Sequence, residues 1–208
     1  MTIFKMKFGL IVLGAHIGVH IKDEISKINN SPILLVEPVP HNVDAIKENL
    51  KEYKNIIIEP VAISNINEKK DFYFVKGNSI NKLKKHWASG IGSFDKNHLI
   101  SHRSKRFLIE DNDIDKVVIE TLRFKDLIKK HSITEIEKII IDVEGFEYEI
   151  LSDIDLEEIK INSIMFEYKH FDGYLKSGDK LQEIIQKFEK NNYKISKIDK
   201  ENILAIKH

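Results

Sequence analysis

The residues with the plainest chemical potential are Asp142-Val143-Glu144-Gly145, which close the run Ile139-Ile140-Ile141. Three consecutive isoleucines suit a strand buried on both faces of a parallel sheet. The carboxyl ends of such strands are where open α/β sheets bind ligands. Residues i and i+2 of a strand point the same way, so both carboxylates are expected to face one site. Like charges this close raise one pKa, which suits a general base or a polar anchor. The competing reading is a pair of helix N-terminal acids stabilised by the dipole. Glu167, ending the run Ser163-Ile164-Met165-Phe166, supplies another acid on an adjacent strand end.

Two further features lie upstream. Leu13-Gly14-Ala15-His16-Ile17-Gly18 joins a buried run, Phe8 to Leu13, to a helix-like segment over 19–28. Glycines there make a tight turn and let a ligand lie against backbone N–H groups. The G-x-x-x-G spacing is not the dinucleotide fingerprint, which argues against a dinucleotide oxidoreductase. Glu37 ends the second apolar run, Ile33 to Val36, 19 residues after Gly18 (37 − 18 = 19). An acid about 20 residues beyond a glycine loop is placed to accept hydrogen bonds from ribose hydroxyls. By itself, Glu37 reads better as a solvated strand-end acid. His16 and His20, and His98 and His102, have the H-x-x-x-H spacing of helical zinc sites, but His16 sits in the loop and the second pair lies in a polar stretch with no nearby acid motif. No metal is expected, and His16 ranks first among the histidines by its position.

These residues need a frame to hold them. Apolar runs at 8–13, 33–37, 55–63, 139–143 and 161–169 alternate with helical periodicity at 19–28, 43–53, 124–131 and 180–191. Alternation of this kind predicts an α/β domain with a mainly parallel sheet. The segments 193–198 and 202–207 are separated by so short a turn that they must form an antiparallel hairpin. Lys70 to Lys76 reads as an exposed or edge strand. Residues 77–116 form an irregular, polar insertion, and its Ser89-Gly90-Ile91-Gly92-Ser93-Phe94 stretch is suited to closing over a substrate. One domain over 1–208 is expected.

Composition narrows the partners. Lys plus Arg and Asp plus Glu are both 33, a net charge of zero, which offers no electrostatic argument for nucleic acid. The short basic clusters Lys82–Trp87 and His102–Arg106 read as solvated loop. There is no cysteine, which excludes disulfides and thiolate chemistry and points to a reducing, cytoplasmic setting. No signal peptide and no run of about 18 apolar residues is present, so no membrane span is expected. A homo-oligomer is compatible with all of this.

Taken together, Leu13–Gly18, Val36-Glu37-Pro38 followed by a segment with Asn42 and Asn49, Glu59–Ser64 and Ile141–Leu151 resemble the FkbM family of S-adenosylmethionine-dependent methyltransferases. The last block is the most specific, and the resemblance runs from about Phe8 to Lys207. It implies a Rossmann-like class I methyltransferase fold: a mainly parallel seven-stranded sheet with a C-terminal antiparallel hairpin. It implies cofactor contacts from Gly14, Ala15, His16, Gly18, Glu37, Pro38, Asn42, Ala62 and Asp142, with Glu37 on the ribose and Ala62 bordering the adenine. Asp142 and Glu144 would flank the transferable methyl, with Glu144 or Glu167 orienting or deprotonating the acceptor. The usual reaction is O-methylation of a hydroxyl on a sugar or small metabolite. Here Val12 stands where the family carries an acid, and His16 where it carries an asparagine. Alternatives are a nucleic-acid methyltransferase and a non-catalytic, partner-binding module.

Overall fold

The computed structural model describes residues 6–83, 86–101, 108–173 and 175–208. The basic clusters at 82–87 and 102–106, Trp87 among them, fall on residues or side chains outside that description, as does His102.

Seven strands form the main sheet: β1 (Met6–Leu13), β2 (Ile33–Val36), β3 (Ile56–Glu59), β8 (Ile133–Ile141), β9 (Lys160–Glu167), β10 (Tyr193–Lys197) and β11 (Asn202–Lys207). Their order is β10-β11-β9-β8-β1-β2-β3. Pairing is parallel from β3 across to β9, and only β11 runs antiparallel to its neighbours. This is the Rossmann-like class I fold expected from the sequence. The strands alternate their side chains between two cores, because each has helices on both sides. Ile11, Leu13, Ile139 and Ile141 face the core covered by α5 (Phe124–Lys130), α6 (Glu147–Asp153) and α7 (Asp179–Lys190). Leu10, Val12 and Ile140 face the core covered by α1 (Lys22–Ser26) and α2 (Pro40–Asn49).

Register delivers the site. Leu13 pairs with Val36 on one side and with Ile141 on the other, and Ile141 pairs with Phe166. The next residue on each strand is therefore Glu37, Gly14, Asp142 and Glu167, in a row along the carboxyl edge. The strand order reverses beside β1, which opens the crevice where such folds bind ligands.

A second sheet departs from expectation. β4 (Ala62–Ile63), β7 (Ile114–Leu122), β5 (Lys69–Val75) and β6 (Gly92–Ser93) pair in that order. β5 is thus an interior strand, not an edge. The insertion is also more regular than its polarity suggests, with α3 (Gly77–Leu83) and α4 (Lys96–Ser101) packed over Val75, Ala88, Ile91, Leu99, Ile109 and Ile114. Thr121, on β7, ties this sheet to the 66–68 turn. Its hydroxyl donates to Ile66 O at 2.6 Å and accepts from Glu68 N at 3.0 Å. Thr121→Val keeps the shape but strands both backbone groups, so urea melts are expected to show a loss of about 2 kcal/mol. An unchanged midpoint would mean that water replaces the hydroxyl.

Two elements are shorter than their periodicity predicts. The 19–28 helix is a 3-10 turn, Val19–Ile21, followed by α1, and the 43–53 helix begins earlier and ends at Asn49. Among the described residues, no helix is long and apolar enough to cross a membrane.

Candidate active site

The β1 carboxyl end bends at Gly14 (φ +85°), and both Gly14 N and Ala15 N donate to Val36 O at 3.0 Å. Asp142 N donates in turn to Leu13 O at 3.0 Å. Any β-carbon on Gly14 would lie 1.8 Å from Asp142 O, so only glycine lets these strand ends meet. Gly18 (φ +77°) has a different task. It packs against Leu50 and Ile46 of the α2 region, and Ala15 is fully buried, so these two shape the loop from behind.

Glu37 is 5 % exposed and caged by donors. Its Oε2 accepts from His16 N at 2.9 Å; its Oε1 accepts from Val39 N at 3.0 Å and from Asn42 Nδ2 at 3.2 Å. Burial pushes the carboxyl up to about 7, against the pull of those three N–H groups. Because the folded value is the higher one, the protonated form is favoured in the fold. Its stabilising share is full below the ordinary value of 4.5 and is lost as pH rises through about 7. Asn42 also donates to Ser89 O at 3.0 Å, and the His16 ring Nε2 is hydrogen-bonded to Ser89 Oγ. Ser89 thus anchors the insertion to the glycine loop. Burial first, then His20 and His41, lower His16 to about 4, so its ring is neutral near pH 7.

The acid pair differs from its sequence reading. β8 ends at Ile141, and Asp142–Gly145 is a loop in which Glu144 (φ +56°) and Gly145 (φ +110°) are left-handed. The two carboxylates are brought together by this turn, not by strand alternation. Neither lies in the first turn of α6, which starts at Glu147. Glu147 instead reaches back to accept from Val143 N at 2.8 Å and Gly145 N at 3.0 Å, fixing the turn. Asp142 is exposed at the mouth of the crevice, and the protein crowding it first, then the Glu144 charge, push its carboxyl up to about 6.

A cavity of about 600 Å³ joins these parts. Its lining includes Gly14, His16, Glu37 and Pro38, then Ala62, Ile63 and Phe72, and Asp142, Glu144 and His170, with Asp142 beside Gly14. The insertion closes it with Gly90, Gly92, Ser93, Phe94, Asp95 and His98. The Ser89–Phe94 stretch expected to close over a substrate does form part of this lining. Asn42, Ala15, Gly18 and Glu167 stand behind the lining. Lys169 Nζ lies 2.7 Å from Glu167 Oε1 and 3.5 Å from Glu144 Oε2. Burial pulls the Lys169 ammonium down, but Glu144 and Glu167 outweigh it and hold it above its ordinary value. The His98 and His170 rings meet edge-on at 5.9 Å. Lys169 carried no sequence signal. His98 and His170 lacked a metal or triad spacing because tertiary structure alone brings them together.

The residues fit S-adenosylmethionine in outline. Glu37 Oε2 keeps acceptor capacity toward the cavity for a ribose hydroxyl, since one N–H uses only part of it. Ala62, Ile63 and Phe72 offer an apolar wall to an adenine. The family described as the methyltransferase FkbM domain matches residues 13–195. No curated protein matches. Among solved structures, fibrillarin pre-rRNA processing protein from Methanococcus jannaschii is 13 % identical, with a TM-score of 0.50 over 99 % of this chain and 69 % of that one. Aeropyrum pernix fibrillarin with natively bound S-adenosyl-L-methionine is 10 % identical, TM-score 0.49, over 97 % of this chain and 67 % of that one. Precorrin-6y C5,15-methyltransferase from Geobacter metallireducens is 12 % identical, TM-score 0.46, over 98 % and 82 %. At such identities the likeness is one of fold.

Proposed function

Since the chain belongs to the FkbM methyltransferase family, and S-adenosylmethionine is therefore its cofactor, we propose that it methylates a hydroxyl oxygen on a sugar or small metabolite. The observation that carries this reading is one cavity lined both by Glu37 and Gly14 and by Glu144 and His170. Zero net charge supports a small acceptor over nucleic acid.

When bound, S-adenosylmethionine supplies a methyl group already activated on a sulfonium. The residues that would hold it are Gly14 and His16 of the loop, Glu37 and Pro38 beyond β2, Ala62 and Asp142. Glu37 accepts from the ribose, and Asn42 and the His16 amide keep its carboxylate aimed. Glu144 orients the acceptor hydroxyl and takes its proton, while Lys169 fixes Glu144 and Glu167 in place. Holding the acceptor in line is the larger part of the task, since positioning contributes roughly 7–11 kcal/mol in favourable cases. Gly90 to His98 form the acceptor's cover and keep water out.

Isothermal titration with S-adenosylhomocysteine tests the cofactor end. Affinity on the order of micromolar is expected. Glu37→Ala should weaken it about 10- to 100-fold, the worth of about 1.5–3 kcal/mol for hydrogen bonds to a charged group. Only the carboxylate accepts from both hydroxyls, so wild-type affinity should fall, by up to about tenfold per pH unit, as pH drops below about 7. A flat pH profile would remove Glu37 from the ribose. The acceptor end is tested by labelled-methyl transfer to a panel of sugars and hydroxylated metabolites, with the new bond located by NMR. An O–CH3 product supports the reading; N- or C-methylation alone, or transfer to RNA alone, overturns it.

A further inference from the structure

One cluster does more than the proposed reaction asks. At the ends of β8 and β9, carboxylate oxygens of Glu144 and Glu167 and a ring nitrogen of His170 all lie within 4.8 Å of one another. His170 Nε2 is 3.6 Å from Glu144 Oε2. Glu167 is 5 % exposed, and among the described residues its Oε2 has no hydrogen-bond partner. A buried carboxylate oxygen without a partner is costly, and the carboxylate that carries it lies beside a second carboxylate and an imidazole. Glu167 also belongs to a second such group, with Asp142 and Glu147. Glu147 is satisfied by its backbone N–H donors. Lys169 Nζ meets Glu167 through Oε1 at 2.7 Å and Glu144 at 3.5 Å, and so leaves Glu167 Oε2 unused.

We propose that Glu144, Glu167 and His170 bind a divalent cation. Two carboxylates and one imidazole are a mixed oxygen and nitrogen set, which suits a first-row ion such as Mn2+ over Ca2+. Lys169 keeps Glu167 Oε1, and the ion takes Glu167 Oε2 together with the Glu144 and His170 donors. Glu144 and His170 line the cavity while Glu167 stands behind them, so the open coordination positions face the space assigned to the acceptor. There the ion holds an acceptor oxygen. That use rests on the hydroxyl-transfer reading, whereas the binding of the ion does not.

Mn2+ alone, without cofactor or acceptor, is the probe. Loss of the free-ion electron paramagnetic resonance signal on titrating the full chain should reveal one saturable site. Glu167→Gln and His170→Ala should each weaken it at least about tenfold. Glu167→Asp stands in if Glu167→Gln does not fold, as judged by circular dichroism. No saturable binding by the wild type overturns the proposal, and so does binding that both variants leave unchanged. Binding that appears only in Lys169→Met would make Lys169 the cluster's own cation, which also overturns it. Because neither S-adenosylmethionine nor an acceptor is present, these outcomes are independent of the methyl-transfer assay.

Discussion

Gly14→Ala is expected to cost about 4 kcal/mol or more, lowering the melting temperature by roughly 8–16 °C in a chain of this size. Two penalties add. The residue sits at φ +85°, where a side chain is strained. The added carbon would also lie 1.8 Å from Asp142 O and 2.8 Å from Asp142 C. Both neighbours are backbone, so no rotamer change relieves the clash. The chain must move, and the Asp142 N bond to Leu13 O is the first to go. Gly145→Ala is the matched control. It has φ +110°, but the nearest atom to its added carbon is 3.9 Å away, in His170. Only backbone strain remains there, so about 1–2 kcal/mol is expected. Equal losses in the two variants, measured by thermal or denaturant melts, would show that the close approach at Gly14 relaxes freely.

Glu144→Gln is expected to slow methyl transfer by about 10²- to 10⁴-fold, the usual worth of a positioned proton acceptor. Glutamine keeps the size and an acceptor oxygen, but it cannot take a proton and no longer attracts Lys169, 3.5 Å away. S-adenosylhomocysteine affinity should stay within roughly threefold, because the variant touches the acceptor end of the cavity and leaves Glu37 alone. A loss confined to kcat and kcat/KM together is the signature of an interaction made in the transition state. If KM for the acceptor rose and kcat held, Glu144 would be a binding group only, and proton acceptance would have to be sought among the histidines.

The main sheet was readable because its signals are local. The isoleucine runs name their own strands, and the short span from 198 to 201 allows nothing but a hairpin. Glycines 14 and 18 marked the first turn, although one serves strand contact and the other helix packing. The acid pair shows where local logic fails. Its alternation argument assumed that the strand continued to Glu144, but β8 stops at Ile141 and a left-handed turn supplies the juxtaposition. Helix 19–28 was overestimated for a related reason, since the left-handed Gly18 starts it as a 3-10 turn. The second sheet was hidden because two of its strands have only two residues each. Such strands exist through their partners and not through propensity. Ser89, Lys169 and the meeting of His98 with His170 depend wholly on tertiary contact.

Ala62 pairs with Thr121 and Ile63 with Leu122, so the 62–122 segment begins and ends at almost the same place, between β3 and α5. A stretch whose two feet already stand together can be exchanged with little loop-closure entropy. The cavity therefore has two inheritances. Its floor is fixed by the register of β1, β2 and β8, and its roof is a cassette hung between β3 and α5. Selection, or a protein engineer, can rewrite the roof and so retarget the enzyme, provided that Ala62, Ile63, Phe72 and Ser89, which the roof lends to the cofactor end, are kept.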